Sequence, residues 1–359
     1  MPRIVLDMMD RRPVWAMPAW VPEELRAALP PGWDLVVVEA ETDGSGDGAG
    51  RIDPAVLRAV EGAEAYFGYG IPEALLEAGA SLRWVHSGAA GVGRSLTPTM
   101  LSSPVIFTNS AGVHASPIAE TVLAMILYFG RGLDFAVEGQ RRAEWWQSPY
   151  YDPDAPLREL SESTVGIVGY GGIGREVARR VASLGARVIG LRRRSAAREG
   201  KADLLPVDGG GSLAHRVHVL EGPEGLDELL RESDVVVLAA PETKETRGLI
   251  GAAELARMKP GALVVNVGRG KLVDEAALSS ALSEGKLRGA GLDVFATEPL
   301  PPEHALWRLN NVILTPHVSA VTRSFWRRET DLILRNLRRL LDGAPVAEWE
   351  NVVDKRAGY

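Results

Sequence analysis

The stretch TVGIVGYGGIGREVARRVASLGARVIGL, residues 164–191, decides the fold. It opens on an apolar run of strand length, passes through Gly169-Tyr170-Gly171-Gly172-Ile173-Gly174, and continues in a helical pattern with an apolar stripe of Ile173, Val177, Val181 and Leu184. Gly185 stops that pattern, and a second apolar run follows. A G-x-G-x-x-G alone is a weak signal, because tight turns produce it by chance. Between a strand and a helix of one βαβ unit it reads as a phosphate-binding turn. Gly169 permits the turn, Gly171 lets the backbone approach a pyrophosphate, and Gly174 lets helix and strand pack closely. Gly172 and Ile173 open a helix whose N–H groups and dipole face the anion, so these five residues are expected to bind a dinucleotide.

The second apolar run ends in Arg192-Arg193-Arg194. In such a unit the end of the second strand faces the adenosine ribose, where an acid reads the 2′-hydroxyl of NAD and an arginine accommodates the 2′-phosphate of NADP. Leu191 and Arg192 stand where the acid is expected, and no carboxylate is evident nearby to repel a dianion. Paired, charge-assisted hydrogen bonds from guanidinium favour NADP(H). NAD(H) is the alternative, with the arginines as a solvated face of a long loop reaching towards Gly225.

Outward from this unit, a second βα series continues through VVVLAAP, ALVVNVG, GAGLDVF and VILTPH, and a first series precedes it with RIVLDM, DLVVVEA, EAYFGYG, LRWVHSG and PVIFTNS. Alternation of this kind predicts parallel sheets and an α/β fold. A long helical pattern starts around Ala119, and another, from about Ser319, follows the second series. The 359 residues, 46% hydrophobic and 24% charged, suit two globular domains. The absence of cysteine excludes disulfides and thiolate metal sites, and the net charge of -7 argues against a general nucleic-acid binder. His215 and His218 come nearest to a metal-ligand spacing but lack further ligands, so no metal is expected. No apolar run reaches membrane-spanning length and the N-terminus lacks the pattern of a secretory signal, which predicts a cytoplasmic protein without a membrane partner.

Three later stretches each end a buried-looking run with a polar residue: Arg269 in VVNVGRGKLVDEAAL, Asp293 and Glu298 in GAGLDVFATEPLP, and His317 in VILTPHVSAVTR. Open α/β sheets gather such residues at the carboxyl edge. Reduction of a 2-keto acid needs a cation for the carboxylate and carbonyl, a proton donor for the oxygen and a positioned hydride. Arginine, histidine and a reduced nicotinamide supply these parts. Singly, each residue also suits a plain loop or strand end.

Together, GYGGIG, SDVVVLAAPETKETRGLI, NVGRGKLVDEAAL, GLDVFATEPLP and TPH resemble the D-isomer-specific 2-hydroxyacid dehydrogenase family over nearly the whole chain. The resemblance implies two Rossmann-like or flavodoxin-like parallel-sheet domains with an active-site cleft between them. It implies a substrate domain made of residues 1–118 and 319–359, and a dinucleotide-binding domain of residues 119–318. It implies that Arg269 binds substrate, that His317 is the acid/base, and that Glu298 pairs with it. Pro241, Thr246, Val267, Gly268 and Asp293 are implied to line the cofactor, and the backbone of Ala90, Gly91 and Val92 to hold the substrate carboxylate. Gly93 stands where the family often has an acid. Within the family, the arginines, TPHVSAVTR and the aromatic EWWQSPYY are most similar to NADPH-using glyoxylate/hydroxypyruvate reductases, which implies a small 2-keto or 2-hydroxy acid as substrate and a homodimer. Trp145 or Trp146 could then approach a neighbouring subunit's pocket, although interface or core packing is the plainer reading. Trp84, Trp307 and Trp326 read as packing, and His86 and His114, near the expected cleft but outside the catalytic motif, as structural or as supporting the site without touching substrate. Competing readings are a phosphoglycerate-type dehydrogenase, disfavoured by the lack of a C-terminal regulatory domain, and a non-catalytic dinucleotide-sensing regulator.

Overall fold

The computed structural model describes residues 1–40, 52–192, 203–205 and 215–358. Contacts divide the chain into two compact units, Met1–His114 with Val321–Tyr359, and Ala115–Ala320.

In the first unit, β1 (Arg3–Asp7), β2 (Asp34–Val37), β3 (Ala65–Gly68), β4 (Trp84–Ser87) and β5 (Ile106–Asn109) pair in the order β2-β1-β3-β4-β5, all parallel. This is the flavodoxin-like order, which reverses direction between β1 and β3. Period-two alternation divides the side chains between two cores. Ile4, Leu6, Phe67 and Trp84 face one, and Val5, Tyr66, Val85 and Phe107 face the other. The helix Phe325–Leu341 closes the first of these cores with Phe325, Trp326, Leu332, Ile333, Leu337 and Leu340. Their helical spacing puts them on one stripe, while Arg327 on the opposite side pairs with Glu24. The same helix buries Glu329, whose carboxylate lies 2.8 Å from His86 Nε2 and accepts a hydrogen bond from Ser110. His114 stacks on Phe325, with ring centroids 5.1 Å apart.

The second unit holds β6 (Thr164–Val168), β7 (Arg187–Arg192), β8 (Asp203–Leu205), β9 (His215–Glu221), β10 (Val235–Leu238), β11 (Ala262–Asn266), β12 (Leu287–Leu292) and β13 (Val312–Leu314). Their order is β13-β12-β11-β10-β6-β7-β9-β8, with β8 antiparallel to β9 and the other pairings parallel. β6, β10 and β11 are buried throughout, which explains why they read as unbroken apolar runs. The helix Ala115–Gly130 lays Ile118, Val122, Met125 and Phe129 against Val165, Ile167 and Val265. It begins before the position suggested by its apolar pattern, because Pro117 falls in the first turn, where a missing N–H is harmless.

Two expectations are corrected. β9 occupies part of what reads as a long loop before Gly225, and it extends the sheet beyond β7. Leu184 lies past the last turn of the helix Gly172–Ser183 and is 47% exposed, so the buried stripe runs instead through Gly174, Val177, Ala178, Val181 and Ala182.

The glycine turn after β6 shows two different demands. Gly169 has φ +99°, and a Cβ there would lie 2.5 Å from Ala240 N. At Gly174 a Cβ would press on the carbonyl oxygen of Gly169 and come within 3.1 Å of Ile167 Cγ2, whereas at Gly171 it would meet nothing within 4 Å. Gly174→Ala is therefore expected to destabilise the second unit by about 1–3 kcal/mol, the usual cost of overpacking against backbone that cannot yield. Gly171→Ala should leave thermal unfolding close to the parent, and equal midpoints for the two variants would refute this account of the turn.

Candidate active site

The glycine loop leaves β6 where the strand order reverses, the place where open α/β sheets bind ligands. Gly169 N and Tyr170 N both donate to Leu191 O at 2.9 Å, tying the loop to the end of β7. Gly171 precedes the helix Gly172–Ser183 with open space where its side chain would be, and Ile173 packs partly buried against the core. An open backbone approach at a helix N-terminus fits a dinucleotide pyrophosphate. On the neighbouring strand, β10 runs into Pro241, whose carbonyl accepts the Thr246 hydroxyl at 2.7 Å; Thr246 Oγ1 in turn accepts from Thr243 N at 2.7 Å. After β11, Val267 is 4% exposed with its side chain in the core, so its backbone is what it can offer a ligand. Gly268 N donates to Asn266 Oδ1 at 3.1 Å.

The strand end expected to face the ribose carries an acid beside its arginine. Arg192 Nε donates to Glu221 Oε1 at 2.9 Å, and the two residues are register partners at the ends of β7 and β9. The expectation that no carboxylate lies near Arg192 is thereby overturned. Sequence distance conceals Glu221, because only the pairing of β9 with β7 brings it there. Arg193 and Arg194 lie outside the described residues.

Arg269, Glu298 and His317 follow three adjacent strands, β11, β12 and β13. Asn266, 1% exposed, donates from Nδ2 to Arg269 O at 3.0 Å and accepts from Gly268, so one buried amide fixes the turn that presents Arg269. The Arg269 side chain is half-buried, with Nη1 donating to Gly268 O at 2.7 Å. His317 Nδ1 lies 2.7 Å from Glu298 Oε2, and Glu298 Oε1 accepts from Phe295 N at 2.9 Å. Burial pushes the Glu298 carboxyl up, but the hydrogen bonds from His317 and Phe295 and the positive charges of His317 and Arg269 outweigh it and hold the group below its usual range.

Asp293 is fully buried and its carboxylate is turned onto the segment that carries His317. Oδ1 accepts from Thr315 Oγ1 at 2.6 Å and from Val318 N at 2.9 Å, while Oδ2 accepts from Ser319 N at 3.1 Å and from the Ser319 hydroxyl. Asp293 O takes the His317 N–H at 2.8 Å. This clamp holds His317 at φ +54°, a left-handed conformation uncommon outside glycine. The carboxylate of Asp293, a residue expected beside the cofactor, is thus engaged with Thr315, Val318 and Ser319, on either side of His317.

In the first unit, Ala90, Gly91 and Val92 follow β4; Ala90 O accepts from Asn109 Nδ2 at 2.8 Å, and the Val92 side chain is buried. A Cβ at Gly93 would meet nothing within 4 Å, so space does not demand glycine there. Trp145 is 89% exposed, whereas Trp146 packs beside Phe135 and under Arg142. Trp84 and Trp326 are buried, but Trp307, read as packing, is 54% exposed and donates to Pro301 O.

Residues 123–319 match the model of the D-isomer specific 2-hydroxyacid dehydrogenase, NAD binding domain. The chain belongs to this dehydrogenase family. It is therefore an oxidoreductase that uses NAD(P) and acts on CH–OH donors. Among curated relatives, the glyoxylate reductase of Thermococcus gammatolerans is 38% identical over 244 residues, 67% of each chain. A D-isomer specific 2-hydroxyacid dehydrogenase from Xanthobacter autotrophicus Py2, solved with NADPH and MES, has a TM-score of 0.73 at 30% identity and covers 100% of this chain and 99% of its own. The NADPH-dependent glyoxylate/hydroxypyruvate reductase of Sinorhizobium meliloti, solved with NADP and sulfate, has a TM-score of 0.72 at 28% identity over 100% of both chains. Among the described residues, no helix of this dehydrogenase is long and apolar enough to cross a membrane.

The Glu298 carboxyl gives a direct check. Because its pKa is depressed, it stays ionised as pH falls through the ordinary carboxylate range and protonates only below it. His317→Gln removes the charged partner, so Glu298 should titrate at higher pH, as followed by NMR of side-chain-labelled glutamate. An unchanged titration would show that His317 is not what holds the charge.

Proposed function

We propose that this dehydrogenase reduces small 2-keto acids of the glyoxylate and hydroxypyruvate kind to D-2-hydroxy acids with NADPH as the preferred reductant. The carrying observation is the 2.7 Å contact of His317 with Glu298, beside the charge of Arg269, at the ends of adjacent strands. The names of the glyoxylate reductase relatives, and the NADPH and NADP in the two solved structures, support the substrate class and the cofactor.

In this reading Gly169, Gly171, Gly172, Ile173 and Gly174 hold the pyrophosphate, and the turns at Pro241, Thr246, Val267 and Gly268 border the nicotinamide half. The bound dinucleotide supplies the hydride. Arg269 grips the substrate carboxylate and polarises the carbonyl through guanidinium N–H donors. Protonated His317 delivers a proton from Nε2 to the oxygen that becomes the alcohol, while Glu298 at Nδ1 orients the ring. Asp293 acts through His317 by holding its backbone. Exposed Leu133, Trp145 and Tyr151, all on one segment of the second unit, support a homodimer through that region.

Initial rates with glyoxylate and hydroxypyruvate, using NADPH and NADH, test the proposal. NADPH should give the higher kcat/KM, and His317→Ala should lower kcat about 10²–10⁴-fold, the usual contribution of general acid catalysis. Retained fluorescence enhancement of bound NADPH would show that the variant is folded. Undiminished turnover in His317→Ala would remove the acid/base assignment, and no turnover of either acid by the parent would remove the substrate class.

A further inference from the structure

We infer that Glu221 is a cofactor-selectivity residue, a carboxylate that counterbalances Arg192 and tunes discrimination between a 2′-phosphate and a 2′-hydroxyl. The inference deepens the proposed function, on whose placement of the adenosine ribose it rests. Three observations fix the placement. Leu191 O receives hydrogen bonds from both Gly169 N and Tyr170 N, so Arg192 is the residue immediately after the point where β7 is tied to the phosphate-binding turn. Arg192 and Glu221 face each other across the parallel pair β7 and β9, at the carboxyl ends where this fold binds its ligand. Their side chains meet at 2.9 Å with 23% and 29% exposure, half-buried but open to an incoming group.

The local backbone shows that Glu221 has forgone another role. It is the N-cap of the helix Gly222–Glu232, yet its side chain makes no capping hydrogen bond and turns to Arg192 instead. Acids are favourable at such positions, so the orientation towards Arg192 is the one that the ion pair selects. The usual arrangement puts an acid at the end of the second strand to read the 2′-hydroxyl. Here an arginine stands at that strand end, and an acid is supplied from the next strand of the sheet.

The pair can serve both ligands. A ribose 2′-hydroxyl can donate to the Glu221 carboxylate, while a 2′-phosphate binds the guanidinium against repulsion from Glu221. Charge on Glu221 therefore lowers the advantage of the phosphate below what Arg192 would give alone. Removing that charge while keeping the shape should raise the advantage by about tenfold, because like charges a few ångströms apart at a partly exposed site interact on this scale.

The test uses nucleotide fragments, so it does not depend on turnover. Binding of adenosine 2′,5′-bisphosphate and of 5′-AMP to the intact protein is measured by calorimetry for the parent, Glu221→Gln and Arg192→Gln. Glu221→Gln should tighten the bisphosphate relative to 5′-AMP by about tenfold, and Arg192→Gln should shift the ratio the opposite way. The ratio of kcat/KM for NADPH and NADH should move with the fragments. An unchanged ratio, or weaker bisphosphate binding in Glu221→Gln, would overturn the role of Glu221. Failure of the NADPH reading is separately visible as a parent protein that prefers 5′-AMP, whether or not Glu221→Gln then shifts that preference. Retained 5′-AMP binding confirms that each variant is folded.

Discussion

Parallel pairing is the constraint on which the molecule depends. Apart from the short β8, the strands of each sheet run the same way as their neighbours, so each sheet delivers its outgoing loops to one edge. In the second unit this brings residues far apart in sequence to the ends of neighbouring strands: the turn at Gly169, the acid at Glu221, the cation at Arg269 and the imidazole at His317. Parallel strands also require covered faces, which the buried β6, β10 and β11 provide. The scaffold is thus apolar almost to the strand tips, and polarity begins where the strands end.

Beyond the tips, a few buried polar side chains set the geometry. Holding a non-glycine residue in the left-handed region costs about 1–2 kcal/mol. Each charge-assisted hydrogen bond is worth about 1.5–3 kcal/mol, and Asp293 accepts several around His317. The clamp therefore outweighs the strain and fixes an exposed imidazole through its backbone, leaving the ring to Glu298. Asn266 does the same for Arg269 with an uncharged amide. Both the Arg269 and the His317 side chains stand partly in solvent.

Much of this was legible in the sequence wherever a function makes a local demand. The glycine turn is written in consecutive residues, since φ at Gly169 and the close approach at Gly174 permit little else. The βα alternation and the family motifs were likewise readable, and the matched family and the sheet order agree with them. What escaped depends on pairing across the sheet. β9 reads HRVHVLE, in which charged and imidazole residues interrupt the valines, and the strand looks like loop until its neighbour is known. Glu221 is separated from Arg192 by 29 positions and is meaningful only beside it. Asp293 was visible as a residue, but its orientation depends on where Thr315 and Ser319 pass. Leu184 continues the helical periodicity in the sequence but lies past the last turn, because periodicity does not mark where a helix ends.

The first unit is closed by residues from both sides of the inserted one. Ile4, Leu6 and Trp84 share a core with Phe325, Ile333 and Leu337, while the second unit is one continuous stretch, Ala115–Ala320. During synthesis, domains fold as their residues emerge from the ribosome. The opening sheet must then wait, with one face uncovered, until the helix Phe325–Leu341 is made, whereas the inserted unit already has its full complement of strands. Of the two units, the one whose translation starts earlier is completed later, and the nascent chain carries an unfinished apolar sheet throughout the translation of the inserted unit.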